Sequence, residues 1–207
     1  MEQFNQNQKK AVRGRDKFAK FKLFINILAK LYGALPYSLR KITFEKNRNS
    51  RGKIGLVKRY ALIKSLAINC GDNVAVYTGA YIMNPQTMMF GDNVSIHPMC
   101  YLESGSDGEV SIKIGNDVSI AHGTTIMATS HNFDDVNIPI KDQGVTISPV
   151  VIEDNVWIGA KATILAGVTI KSGCVIGANS VVTHDTEENG IYVGAPARKI
   201  KSRVTEV

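Results

Sequence analysis

Cysteine is scarce in this chain: the 207 residues contain three, Cys70, Cys100 and Cys174. The number is odd and none stands in C-x-x-C spacing, which excludes a disulfide framework and a thiolate zinc site and points to a reducing compartment. Long apolar runs are missing as well. No stretch approaches about 18 consecutive apolar residues, so no segment is expected to cross a bilayer. Met1 to Lys20 is polar and lacks a small-residue cleavage site, so no signal peptide is expected either. Histidine is limited to His97, His122, His131 and His184. A catalytic zinc site needs three converging protein ligands, and no spacing here supplies them, so no metal is expected. Acidic residues are rare in the first 60 positions, where 16 Lys and Arg stand against three Asp and Glu; the remainder holds nine against 15. The basic excess therefore belongs to the N-terminal segment. That segment carries no nucleic-acid reading motif and the rest of the chain is acidic, so nucleic acid is not an expected partner.

What the chain does have is a period. Ile152, Ile158, Ile164, Ile170, Ile176 and Val182 recur every six residues without a slip. A helix repeats at 3.6 residues and a single strand at 2, and neither accounts for six. A short strand followed by a corner does, with one branched aliphatic per turn aimed at a common axis. Gly, Asn, Ser and Asp fill the corners, where tight or left-handed backbone is needed. This is the pattern of a hexapeptide-repeat parallel β-helix. The phase opens at Ile68, Val74 and Ala80, returns at Phe90, Ile96 and Leu102, and again at Ile114, Ile120 and Ile126. Three hexads make one triangular coil, which predicts a mainly β protein of about five coils spaced by about 4.8 Å.

The remaining segments divide around this array. Residues 1–66 form a basic N-terminal segment, helical in part. Phe18, Phe21, Phe24, Ile25, Leu28, Leu31, Tyr32 and Leu35 fall at helical spacing among lysines, and the helix ends before Pro36. Its apolar face is expected to pack on the β-helix, with the lysine side able to meet an anionic membrane surface. A second helix is expected within 53–66. Residues 67–187 hold the β-helix, interrupted by a loop insertion at 132–151, and residues 188–207 form a C-terminal tail. A long loop within a compact repeat array is usually functional. Here it directly follows His131, whose neutral imidazole could take a proton from a hydroxyl near pH 7.

Four stretches carry a family resemblance: G-N-D-V-S-I-A-H-G-T-T-I-M-A-T-S-H, N-V-W-I-G-A-K-A-T-I-L-A-G-V-T-I, G-A-N-S-V-V-T and G-A-P-A-R-K-I-K. In this order they make residues 68–201 resemble the hexapeptide acyltransferases, in the branch of CoA-dependent sugar O-acetyltransferases that includes galactoside and maltose acetyltransferases. R-Y-A-L-I-K at 59–64 resembles the sub-branch acting on capsule and O-antigen polysaccharides. The resemblance implies a left-handed β-helix, a homotrimer and acetyl-CoA as cosubstrate. It makes His131 the catalytic base and sets Trp157 at the acceptor and thioester end. Ala160 and Ala178 match positions whose backbone meets the pantetheine arm, Thr183 an adenine-end contact, and Arg198 and Lys201 the phosphate partners. His97 stands where galactoside-type members place an acceptor-binding Asn, so a simple galactoside acceptor is in doubt. No motif marks an activated Ser or Cys, so a covalent acyl-enzyme is not implied. The expected protein is a cytoplasmic O-acetyltransferase acting on a sugar of a bacterial surface polysaccharide or its precursor. N-acetyl transfer to an amino-sugar or nucleotide amino-sugar is the alternative.

Overall fold

The computed structural model describes residues 14–203 of the chain. Three helices come first: α1 (Gly14–Gly33), α2 (Tyr37–Asn47) and α3 (Gly52–Leu66). Both α1 and α2 pack on α3. A parallel β-solenoid of five coils follows, three short strands to a coil, the strands stacking into three sheets. The aliphatics of the six-residue period form the core, except that the first coil is shifted by two from the expected Ile68, Val74 and Ala80: Ile68 is half exposed, and Cys70, Val76 and Ile82 pair in register with the next coil. Cys70, Phe90, Ile114, Ile152 and Ile170 stack in the first sheet; Val76, Ile96, Ile120, Ile158 and Ile176 in the second; Ile82, Leu102, Ile126, Ile164 and Val182 in the third. All fifteen are buried. Each removes its apolar surface from water at about 25 cal/mol per Å2, so the ladders are the main source of stability.

The corner between the first and second sheets shows why G-D-N-V recurs. Asn73, Asn93, Asp117 and Asn155 all adopt φ of 56–58° there. Asn and Asp tolerate this left-handed region better than other L-residues. Their side chains also join one coil to the next: Asn73 Nδ2 donates to Asn93 Oδ1 at 3.0 Å, and Asn93 Nδ2 to Asp117 Oδ1 at 3.2 Å.

The coils are unequal in length. Equivalent positions lie 20, 24, 38 and 18 residues apart along the stack. Every extra residue falls at the corner where the third sheet returns to the first. A 3-10 turn (Pro85–Thr87) occupies it once. Next, Ser104 and Ser111 fold inward, their hydroxyls 2.6 Å apart, and the Ser104 hydroxyl bonds that of Thr87 at 2.8 Å. The largest excursion lies between the strands Thr125–Met127 and Val150–Ile152, and it carries an antiparallel hairpin of Thr129–His131 with Val145–Ile147. After the last coil, the strands Gly190–Gly194 and Ala197–Ser202 extend the second sheet.

At the other end α3 closes the solenoid. Arg59, 1% exposed, donates to the carbonyls of Val76 (2.8 Å), Ser50 (2.6 Å), Asn47 (3.1 Å) and Arg48 (3.4 Å). It thereby ties the α2–α3 turn to the first coil. The apolar face expected of α1 is divided in two. Ile25 and Ala29 are buried and Phe18 and Tyr32 pack against the core, whereas Phe21 and Phe24 face outward. The reason is geometric: at 100° per residue, positions 21 and 24 sit on the flank of the stripe running through 18, 25, 29 and 32. No helix among the described residues is long and apolar enough to cross a membrane.

Candidate active site

Two groups of the expected site residues emerge, on different edges of the prism. The first runs along the second sheet and its corner with the third. Trp157, 55% exposed, pairs in register with Ser119 and Val175; Val175 pairs with Ile191, and Ile191 with Lys201. Trp157 and Lys201 thus share one column across three strand steps, about 14 Å at the usual spacing. Beside that column, Gly159 and Gly177 hold the coils close. A Cβ on Gly159 would approach the Ala178 nitrogen to 2.6 Å, so only glycine fits. The next residues, Ala160 and Ala178, lie one above the other. The Ala160 carbonyl accepts the amide of Asn179 at 2.9 Å. The N–H groups of Ala160 and Ala178 donate to no group among the described residues. The result is a ridge of small side chains with donors free along it.

The ridge ends at cations. Arg198 is paired in register with Val193, whose side chain packs against Gly177, and its guanidinium meets only the neighbouring carbonyl of Ala197. Arg198 and Lys201 are exposed without a carboxylate partner among the described residues, whereas Lys199 pairs with Glu187 at 2.5 Å. Thr183 lies past the last strand of the third sheet, its hydroxyl 2.7 Å from His184 Nδ1. His97 belongs to the other end of the same corner. It stacks on Tyr77 at 4.9 Å, and burial, then the charge of nearby His122, holds its pKa below the ordinary histidine value. His97 is therefore neutral at pH 7. His122 precedes Ala160 by one coil in the same column.

His131 stands apart from this ridge. It ends the strand Thr129–His131, off the third corner, in register with Val145 and exposed. The hairpin is braced from below and within. Thr129 donates to the Glu103 carboxylate, which also accepts from Tyr101 at 3.1 Å. Asn132 bonds to the Gln143 carbonyl and accepts from Thr146 at 2.6 Å, while Gln143 spans to the carbonyls of Asp135 and Ile138. Phe133, Val136, Ile138 and Ile140 of the excursion all project into solvent. Below His131 on the third face, Tyr81 and Tyr101 stack at 5.4 Å with planes 5° apart, and the Arg48 guanidinium lies 5.0 Å over Tyr81. With Asn49, Met83 and Met99 they line a groove of about 500 Å3. The tyrosine pair is 20 residues apart, not 18, because of the 3-10 turn, and so escapes a strict six-residue count. Among the described residues no three metal-ligating side chains converge.

In one chain, then, the imidazole and the ridge face different directions. Residues 149–184 match the family model described as bacterial transferase hexapeptide (six repeats). The chain is 33% identical over 147 residues to the galactoside O-acetyltransferase of Escherichia coli, covering 70% of this chain and 68% of that protein. It is 39% identical over 121 residues to the probable acetyltransferase Rv3034c of Mycobacterium tuberculosis; this covers 56% of the chain but 38% of that longer protein. Among solved structures, the hexapeptide-repeat acetyltransferase VCA0836 of Vibrio cholerae complexed with acetyl coenzyme A superposes with a TM-score of 0.70 at 30% identity, covering 82% of this chain and 87% of that one. The N-acyltransferase AntD of Bacillus cereus, solved with a dTDP-amino-sugar and coenzyme A, gives a TM-score of 0.56 at 30% identity over 70% of this chain and 88% of that one. The solenoid, its hexad ladders and these matches agree, and the chain belongs to the hexapeptide-repeat acetyltransferases.

Proposed function

We propose that the protein transfers an acetyl group from acetyl-CoA to a sugar hydroxyl in a site formed between adjacent copies of a homotrimer. The observation that carries this reading is the division of the site: the ridge of Ala160 and Ala178 lies on one edge of the prism and His131 on another. Neither edge is a complete site. An assembly that sets one copy's His131 hairpin against the next copy's ridge completes it, and would also cover Phe133, Val136, Ile138 and Ile140. The free N–H groups of Ala160 and Ala178 suit the amide-bearing pantetheine arm, Trp157 its thioester end, Thr183 the adenine end, and Arg198 with Lys201 the phosphates. His131 removes the proton as the hydroxyl oxygen attacks the thioester carbonyl; the carbon–sulfur bond breaks, and the proton passes to the leaving thiolate.

The stacked tyrosines under Arg48 suit the acceptor, since sugar rings present flat C–H faces to aromatic planes and hydroxyls to polar rims. This supports a sugar of a surface polysaccharide or its precursor, acetylated in the cytoplasm where acetyl-CoA is made. The likeness to AntD favours one second reading, N-acyl transfer to an amino-sugar. Labelled acetyl-CoA offered with hydroxyl-bearing and amino-bearing glycans decides between them. Label released from the product by mild alkali marks an ester and supports the first reading; alkali-stable label marks an amide and supports the second. In either case His131→Ala is expected to lower turnover by roughly 10²- to 10⁴-fold, the usual contribution of a general base. Near-full activity in that variant would remove His131 from the mechanism.

A further inference from the structure

The outer side of α1 has no partner among the described residues. Phe21 (61% exposed), Leu23 (75%), Phe24 (62%), Ile27 (50%) and Leu31 (64%) project from it, on the flank of and opposite the stripe that packs on the fold. A helix that is apolar nearly all round is normally buried all round. Five large apolar side chains on 11 consecutive positions far exceed the scattered exposure of an ordinary surface. Something covers this face, and the charge around it distinguishes the candidates. Lys20 and Lys30 lie exposed beside the apolar arc, and Lys46, Arg51, Lys53 and Lys58 are exposed on the helices that follow. Across residues 14–66 the only acidic residues are Asp16 and Glu45. A second copy laid on this face would bring the same cations and be repelled. An anionic bilayer offers hydrocarbon to the phenylalanines and phosphate to the lysines.

We propose that α1 lies in the interface of an anionic membrane, its Phe21–Leu31 face sunk into the acyl boundary and its lysines at the headgroups. No described helix can span the membrane, so the attachment is peripheral. Nothing in this docking depends on the reaction the solenoid carries out. It would set the third-face groove near acceptors held at a membrane.

The test is co-sedimentation of the full chain with vesicles. Mixed phosphatidylglycerol and phosphatidylcholine vesicles should bind the protein, and pure phosphatidylcholine vesicles should bind it at least tenfold less. The pair Lys20→Gln and Lys30→Gln should lower binding to the mixed vesicles about 25-fold, taking about fivefold for each lysine lost at an anionic surface. The pair Phe24→Ser and Leu31→Ser should abolish it, with an unchanged melting temperature because both side chains are already exposed. Equal binding to both vesicle types, or unchanged binding in either variant, overturns the proposal. So does a wild-type protein that binds no vesicle; if Phe24→Ser and Leu31→Ser then lower its mass in sedimentation velocity, the occupant is a second copy.

Discussion

Arg59 is the one charged side chain buried among the described residues. Charged residues are seldom fully buried unless paired, yet Arg59 is 1% exposed. The structure buries it among four backbone carbonyls, from Asn47, Arg48, Ser50 and Val76, and one guanidinium bonds all four. Arg59→Leu should cost about 3 kcal/mol or more, because its charge-assisted bonds vanish and the buried Val76 carbonyl loses its donor. Chemical denaturation would measure it; a loss under about 1 kcal/mol would mean that water replaces the guanidinium at little cost. The cysteines follow the opposite logic. Burial pushes the Cys70 thiol up to about 12 and the Cys100 thiol up to about 11, and Cys174 is fully enclosed. A thiol reagent at pH 8 should therefore find essentially no thiolate at Cys70 and Cys100 and no access to Cys174 in the folded protein, and titrate all three after denaturation. Rapid reaction of the native protein would show that a coil opens.

Among the elements, legibility varied with how tightly local chemistry constrains the backbone. The coils were readable because each hexad places one aliphatic on the axis, and because left-handed corners select Asn, Asp and Gly. Yet Met99 and Lys161 adopt the same left-handed geometry at the second corner, with φ of 60° and 57°. Nothing in their chemistry announces it; coil stacking imposes it. Helix α2 lacks a clear apolar stripe and was not expected; Phe44 is its one buried residue, and packing on α3 holds it in place. The Thr129–His131 hairpin is likewise invisible locally, since three polar residues pair with a strand 16 positions away without a tight turn. Its anchor, Glu103, comes from the coil before. The C-terminal hairpin is a clearer case, where G-A-P-A-R-K-I-K marks cations at the end of the second sheet. Replacing both Arg198 and Lys201 with alanine should weaken CoA binding by tenfold or more and flatten its salt dependence, because two phosphate partners are gone. Calorimetry at low and high salt would check this. Unchanged affinity would reduce that strand to a solvated edge.

On the scale of the whole molecule, charge and insertions are sorted along the solenoid. The basic helices sit at its N-terminal end, where the third-face groove begins with Arg48 and Asn49. The acidic coils follow, and the third corner grows with each coil until it projects His131. The ridge occupies the other edge and ends at Arg198. Such a layout makes sense when the working unit is several copies and each contributes one wall. A closed ring built from one kind of interface would give every copy the same two roles.

The most direct test of the shared site is subunit complementation. His131→Ala removes the base from one edge; Ala178→Trp fills the ridge on the other, at an exposed position that does not touch the core. Each variant alone should be nearly inactive. Unfolded and refolded together in equal amounts, they should recover about a quarter of wild-type acetyl transfer, because in a cyclic assembly one site in four then pairs an intact imidazole with an intact ridge. Mixtures no more active than the separate variants, in assemblies that demonstrably exchange subunits, would place the whole site within one chain and contradict the account.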